Sequence, residues 1–203
     1  MDQYSVFFTF YGLILGLAVT EILSNFSAYG RRRLMRTIEP QSALLAALTF
    51  LVICATWIDA WTTRADFGLS FSRMWAPIGA ATSYFLAASA VLPKDESDYD
   101  DMAAYFMRRK AFVVGMLILA ELFIKVTYLP TYSRLLATTP AVFWLLSVPL
   151  NIAIFIAWLT LLLARKRSFI IAAALAQIFI FTVPYWSIDW ISTAIERSYG
   201  YAS

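Results

Sequence analysis

The chain has 203 residues, of which 61% are hydrophobic and 14% charged, with a net charge of +3 and a mean hydropathy of +0.70. This composition is far from that of soluble proteins and is typical of a chain with several membrane spans. Histidine is absent and Cys54 is the only cysteine, which excludes histidine-ligated haem or zinc, Ser-His-Asp triads and an intrachain disulfide.

Apolar runs long enough to cross a bilayer occur six times and are separated by short polar or proline-containing segments. We therefore predict an all-α integral membrane protein, a bundle of six transmembrane helices that forms a single domain over residues 1–203. The first run has no basic segment before it, so we interpret it as a mature span and not as a signal peptide. The predicted spans are 5–28, 41–62, 71–92, 111–129, 141–164 and 169–190.

Lysine and arginine residues are distributed unequally between the loops. The loops after spans one, three and five hold eleven of them, whereas the other side of the predicted bundle holds four. Because basic loops stay in the cytoplasm, this pattern predicts that both termini are extracytoplasmic. Aromatic residues gather at the opposite, outer ends of the spans, as aromatic belts do. The basic loops are also expected to contact anionic lipids at the cytoplasmic face.

The segment 93–110 is the only sizeable loop. Its carboxylates come first and its basic residues last, which is the charge order that a helix dipole favours. We predict a charged loop with a short interfacial helix, an arrangement compatible with continuity into span four. The carboxylates do not follow the spacing of an EF-hand, so a solvated cap is favoured over a metal site.

A shift of the chain by 100 residues places span one on span four and span two on span five, with Glu21 over Glu121. Three spans per half would invert the second half relative to the first, as in many transporters. Identities between the halves are close to what two apolar sequences give by chance. A 3+3 inverted-topology repeat and two unrelated halves therefore both stay open.

Polar residues inside the predicted spans are the candidate functional groups. A charge at the centre of a bilayer costs at least about 2.5 kcal/mol, so a functional role is the default hypothesis for it. We predict that these side chains line a pathway for an ion or solute; a hydrogen-bonded network that locks the bundle is the structural alternative. The candidates are Glu21, Asn25, Glu121, Lys125, Asn151 and Gln177.

Two further pairs have positional meaning. Asp59 and Asp189 end spans two and six between tryptophans, which fits an anionic outer mouth that gathers cations. The alternative, which is favoured, is that they are interfacial carboxylates that simply meet water. Gly12 and Gly16 begin a series of small residues at every fourth position of span one, which predicts close helix packing in the bundle or in a dimer.

Two functions fit these features. The first is a channel or secondary transporter that passes protons, cations or a small solute through a polar midplane site. The second is a non-catalytic accessory or scaffold subunit of a larger membrane complex. We predict no enzyme activity and no cofactor, because no catalytic or phosphate-binding pattern is visible. The expected setting is a lipid bilayer, with a bacterial inner membrane as location, a homo-oligomer or larger complex as assembly, and no nucleic-acid partner.

Overall fold

A computed structural model describes residues 3–31, 39–62, 71–93, 101–138, 140 and 143–198, the last fifteen of them by their backbone alone. Of these residues 94% are helical and none is in a strand, which confirms the all-α prediction. A π-helical turn, Phe143–Ser147, leads directly into the sixth helix. The α-helices are α1 Gln3–Arg31, α2 Pro40–Thr62, α3 Phe71–Val91, α4 Met102–Thr127, α5 Leu129–Thr138, α6 Val148–Leu163 and α7 Arg167–Ser198.

Several helices are long and apolar enough to cross a membrane. Within the described ranges these are Ser5–Ala28, Pro40–Trp61 and Phe143–Leu163, and α4 with α5 makes a fourth if the two form one bent span. The apolar part of α7, Arg167–Val183, is shorter. Helix α3 is less apolar because alanine, serine and threonine occupy many of its positions. The fold is thus consistent with a membrane protein, with three to four spanning helices.

The helices close into a ring in the order α1, α3, α4, α6, α7 and α2. Helix α3 packs along both α1 and α4, α2 also touches α3 and α4, and α6 joins α4 to α7. An inverted repeat would require α4 to pack on α7 as α1 packs on α3. In the described part of the chain α4 and α7 are not a closely packed pair, although α4 and α6 pack as α1 and α2 do, so the helix contacts do not confirm the repeat.

Small residues allow α3 to approach its neighbours closely. Its buried face consists largely of alanines. At Gly79 a Cβ atom would lie 2.8 Å from the ring of Phe123 on α4, closer than side chains normally pack. Thr56 on α2 and Tyr84 on α3 share a buried hydrogen bond of 3.0 Å between their hydroxyls. Close backbone approach and an internally satisfied polar pair therefore make α3 the central helix of the bundle.

Helix α4 begins within the segment that separates the third and fourth predicted spans. The Asp101 carboxylate accepts a hydrogen bond from the Ala104 amide at 2.9 Å and caps the helix. Tyr105 is buried, and its hydroxyl lies 3.0 Å and 3.2 Å from the carbonyl oxygens of Ala90 and Leu92. These carbonyls belong to the end of α3, where intrahelical partners run out. The second half of the segment 93–110 is therefore helical and continuous with α4.

Two irregularities lie just before prolines in the second half of the chain. The chain bends by 53° between α4 and α5 at Tyr128, just before Pro130. The π-helical turn ends one residue before α6, in which Pro149 is the second residue. A proline cannot donate an amide hydrogen bond and its ring clashes with the carbonyl four residues earlier, so a wider π turn accommodates it. Both irregularities lie beside the cavity described below.

Candidate functional site

Glu121 and Lys125 form an ion pair on α4. The ammonium nitrogen of Lys125 lies 2.7 Å from Oε1 of Glu121, and the two side chains are 24% and 5% exposed, respectively. The pair spans one helical turn, as the sequence spacing predicts. A carboxylate as buried as that of Glu121 needs a charged or hydrogen-bonding partner, and Lys125 supplies both.

A second carboxylate joins this pair from α2. Asp59 accepts a hydrogen bond from the hydroxyl of Tyr128 and lies close enough to Lys125 and Glu121 for their charges to interact. Lys125 also lies near enough to Tyr132 on α5 for the ammonium and the phenol hydroxyl to interact. Three helices thus bring two carboxylates, one ammonium and two phenol hydroxyls together. We call these five residues the carboxylate–lysine cluster.

The cluster lies at the end of the bundle where α1 begins and α2 ends. The ring of Phe8 packs against Trp57 and Trp61, with centroid distances of 5.6 and 5.4 Å, so Asp59 is level with the start of α1. The sequence placed Asp59 at an outer mouth and the Glu121–Lys125 pair near the bilayer centre. The structure instead places them together, because α4 starts as early as Met102 and ends just after Lys125.

A groove opens beside the cluster. It has a volume of about 500 Å³ and is bounded by α4, α5, the π-helical turn and α6. Lys125 and Tyr132 line it on one side, and Ser147 and Asn151 on the other. The Asn151 side-chain amide donates to the Ser147 carbonyl at 2.7 Å, while its buried oxygen Oδ1 accepts no hydrogen bond from the residues that the structure describes. The rest of the lining is apolar, and these four residues also border the groove almost entirely with carbon atoms, so its surface is nearly wholly apolar.

Gln177 does not line this groove. It is fully buried between α7 and α6, and its Nε2 donates to the carbonyl of Ile154 at 2.9 Å. Trp158 is equally buried one turn further along α6. The predicted pathway residue Gln177 therefore fastens two helices together.

Glu21 and Asn25 lie far from the cluster. Both are half-buried on α1, and the Asn25 amide donates to Glu21 at 3.5 Å. Since Phe8 is level with Asp59, Glu21 lies about 20 Å further along the helix axis at 1.5 Å per residue. The predicted pathway residues are thus divided between two ends of the bundle.

Apolar packing separates these two ends along α4. Between Lys110 and Glu121 the buried positions of the helix are Val113, Val114, Leu117 and Ala120. This stretch measures about 15 Å. Small polar groups at similar depth, such as Thr49 and Ser83, bond to their own helices. The site therefore resembles a pocket with an apolar floor more than an open pore.

The remaining predicted residues have separate positions. Asp189 is a residue of α7 for which the structure describes the backbone alone. At Gly12 a Cβ would lie 3.4 Å from the Trp57 indole nitrogen, so this glycine packs against α2. At Gly16 a Cβ would meet no atom within 4 Å, and the residue is exposed. The small-residue series of α1 thus packs on α2 at one point and faces outward at the next.

The sequence does not identify three residues of the site. Tyr128 and Tyr132 are indistinguishable from the other aromatic residues at the outer ends of the spans, and no pattern distinguishes Ser147. A signal existed for the tyrosines, because they follow Lys125 at positions i+3 and i+7 and so share its helix face. In the described ranges no three Asp, Glu or Cys side chains come together in a way that could hold a metal ion.

Comparison of the chain with protein-family models, with curated proteins and with solved structures gave no significant match. The interpretation of the site therefore depends on its own geometry.

Proposed function

We propose that this chain is a small secondary transporter that moves a proton or a small cation across a membrane by way of the carboxylate–lysine cluster. The observation that carries this proposal is that Glu121 pairs with Lys125 at 2.7 Å while Asp59 lies near enough for its charge to interact with both, beside an open groove. Titratable groups inside a membrane protein typically serve as ion or proton sites. Asp59, Glu121 and Lys125 together carry one negative charge when all are ionised, which favours binding of a cation or a proton.

Exchange of the lysine between its two carboxylates provides a transport step. When Glu121 takes up a proton or a cation, its attraction for Lys125 falls and the ammonium moves toward Asp59. Loss of the ion restores the Glu121–Lys125 pair. Tyr128 and Tyr132 interact with Asp59 and Lys125 during this exchange. The net charge of Asp59, Glu121 and Lys125 thus changes only between minus one and zero when one proton or monovalent cation is taken up.

Alternating access fits the apolar floor better than an open channel does. The buried residues of α4 between Glu121 and Lys110 are all apolar, so this helix contributes no polar route toward the basic end. The bend at Tyr128 and the π-helical turn both border the groove and are natural places for a helix segment to move.

We propose a six-span bundle with cytoplasmic basic loops, extracytoplasmic termini and a bacterial inner membrane as location.

An accessory subunit of a larger membrane complex is the second candidate. Gly16 and its neighbours Thr20 and Ser24 are exposed on α1, which offers a flat face for a helix of another chain. In this case the cluster would be a structural ion pair and no flux would pass.

Substitution of Glu121 by glutamine tests the transport proposal. We expect Glu121→Gln to fold, because the side chain keeps its shape and Lys125 keeps Asp59 nearby. Its ion flux into liposomes, measured with entrapped pH-sensitive and cation-sensitive dyes, should fall to that of protein-free liposomes. Glu39→Gln is the matched control, since Glu39 pairs with the exposed Arg167 at 3.6 Å. Equal flux for the wild-type chain and Glu121→Gln would contradict the proposal.

A further inference from the structure

The basic end of the bundle is assembled from two segments. Lys110 on α4 donates a hydrogen bond to the carbonyl of Ala164, the residue that follows α6. Lys110 is only 5% exposed, so this contact is an internal one. It places the start of α4 beside Arg165 and Lys166, the short link between α6 and α7. Two basic segments that are distant in sequence therefore meet at one point.

The charges of the link are available to a ligand. Arg165 and Lys166 are both exposed, and neither pairs with a carboxylate in the described part of the chain. The next residue, Arg167, is engaged by Glu39 at 3.6 Å. Thus Arg165 and Lys166 form a compact pair of cations at the end of an apolar helix, without a carboxylate partner among the residues that the structure describes.

An apolar groove ends at this pair of cations. It has a volume of about 430 Å³ and ends at Ala164, immediately before Arg165. Its single hydroxyl, that of Thr160, donates a hydrogen bond to the carbonyl of Ile156 at 2.8 Å, so it needs no polar partner from a ligand. The residues that line it are Ile156, Leu159, Thr160, Leu163, Ala164 and Phe169.

We propose that this groove binds one anionic glycerophospholipid. Its phosphate contacts Arg165 and Lys166, and one acyl chain lies along α6 toward Ile156. The distance from Ala164 to Ile156 is about 12 Å, which lies within one leaflet of a hydrocarbon core about 30 Å thick. Because the groove is cationic at one end and apolar along the rest, it favours an amphipathic anion over a free anion such as inorganic phosphate. The same groove shares Ile156 and Leu159 with the larger groove beside Lys125, so a bound chain reaches the wall of the candidate transport site.

Native mass spectrometry of the purified chain in detergent tests this site. Phosphatidylglycerol is titrated against phosphatidylcholine, glycerol phosphate and inorganic phosphate. We expect one tightly bound phosphatidylglycerol per chain and no retention of the other three at the same concentration. The double variant Arg165→Gln/Lys166→Gln should bind it about 25-fold more weakly, since each basic residue near an anionic lipid contributes about fivefold.

The double variant Arg108→Gln/Arg109→Gln is the matched control. It removes the same charge from the exposed surface at the same end of the bundle, on α4 instead of the groove. We expect the affinity of this variant for phosphatidylglycerol to change by less than about threefold, because exposed charges outside the groove are largely screened from the lipid phosphate. Equal weakening in both variants would show a diffuse basic surface, and binding of inorganic phosphate or glycerol phosphate would show a free-anion site. Either result would overturn the proposal, which is independent of whether ions cross the bundle.

Discussion

Lys125→Met is expected to destabilise the protein by about 3 kcal/mol, because it leaves the carboxylate of Glu121 buried without its charged partner. The Glu121 side chain is only 5% exposed and its Oε1 lies 2.7 Å from the lysine nitrogen, so water cannot replace the lost contact easily. Asp59 lies nearby and adds a second negative charge to the vacated position. The midpoint of unfolding in detergent, followed by tryptophan fluorescence, measures the effect.

The double variant Glu121→Gln/Lys125→Met should recover most of the lost stability, since it leaves no buried charge at these two positions. Glu121→Gln alone should cost less than Lys125→Met, because Lys125 keeps Asp59 as a neighbour. Arg167→Met is the matched control: its pair with Glu39 is longer and Arg167 is 57% exposed, so the change should be below about 1 kcal/mol. Equal small effects for Lys125→Met and Arg167→Met would contradict a buried pair.

Gly79→Ala is the second large effect. The new Cβ would lie 2.8 Å from two ring atoms of Phe123, and Trp75 holds that ring in an edge-to-face contact at a centroid distance of 5.7 Å. The overlap between α3 and α4 should destabilise the protein by about 1–3 kcal/mol. This outweighs the gain of up to about 1 kcal/mol that alanine brings to a helix.

Gly115→Ala on α4 provides the control for Gly79, since a Cβ there would meet no atom within 4 Å. It should leave the midpoint of unfolding unchanged or raise it. The double variant Gly79→Ala/Phe123→Leu should recover stability, because leucine removes the ring atoms that the new Cβ meets. A neutral Gly79→Ala together with a destabilising Gly115→Ala would show that the α3–α4 contact is misplaced.

The sequence predicts the helical class and the ion pair because both depend on local spacing. Apolar runs of sufficient length identify membrane helices, and charges at i and i+4 meet on one helix face. The union of Asp59 with Glu121 and Lys125 could not be predicted in this way. It depends on where α4 starts and ends. The segment before α4 contains several carboxylates that could cap a helix, so the sequence does not identify the first residue, and in the structure Asp101 is the cap.

Proline positions indicate where the helices are irregular, but they do not indicate whether the irregularity is a bend or a π-helical turn. A proline inside a span, as Pro149 is in predicted span five, indicates a bend there, whereas the structure has a π-helical turn just before Pro149 and a regular α6 after it. A proline just after a span, as Pro130 is after predicted span four, indicates the end of the helix, whereas the chain bends there and continues as α5. Only these departures create the groove beside Lys125, because the residues of α5 and the π turn form two of its walls. Glu21 and Gln177 were grouped with the pathway by depth alone, and depth does not reveal which helices are neighbours.

Whether water reaches the carboxylate–lysine cluster decides between a transport site and a structural ion pair. The direct measurement uses a Cys54→Ser background in liposomes and the reaction of single cysteines with a small charged thiol reagent. Ser147→Cys faces the groove beside Lys125, whereas Ala120→Cys, next to Glu121, is fully buried in the core. We expect Ser147→Cys to be labelled and Ala120→Cys to stay unlabelled. Absence of labelling at both positions would mean a dry cluster and would contradict its role in transport.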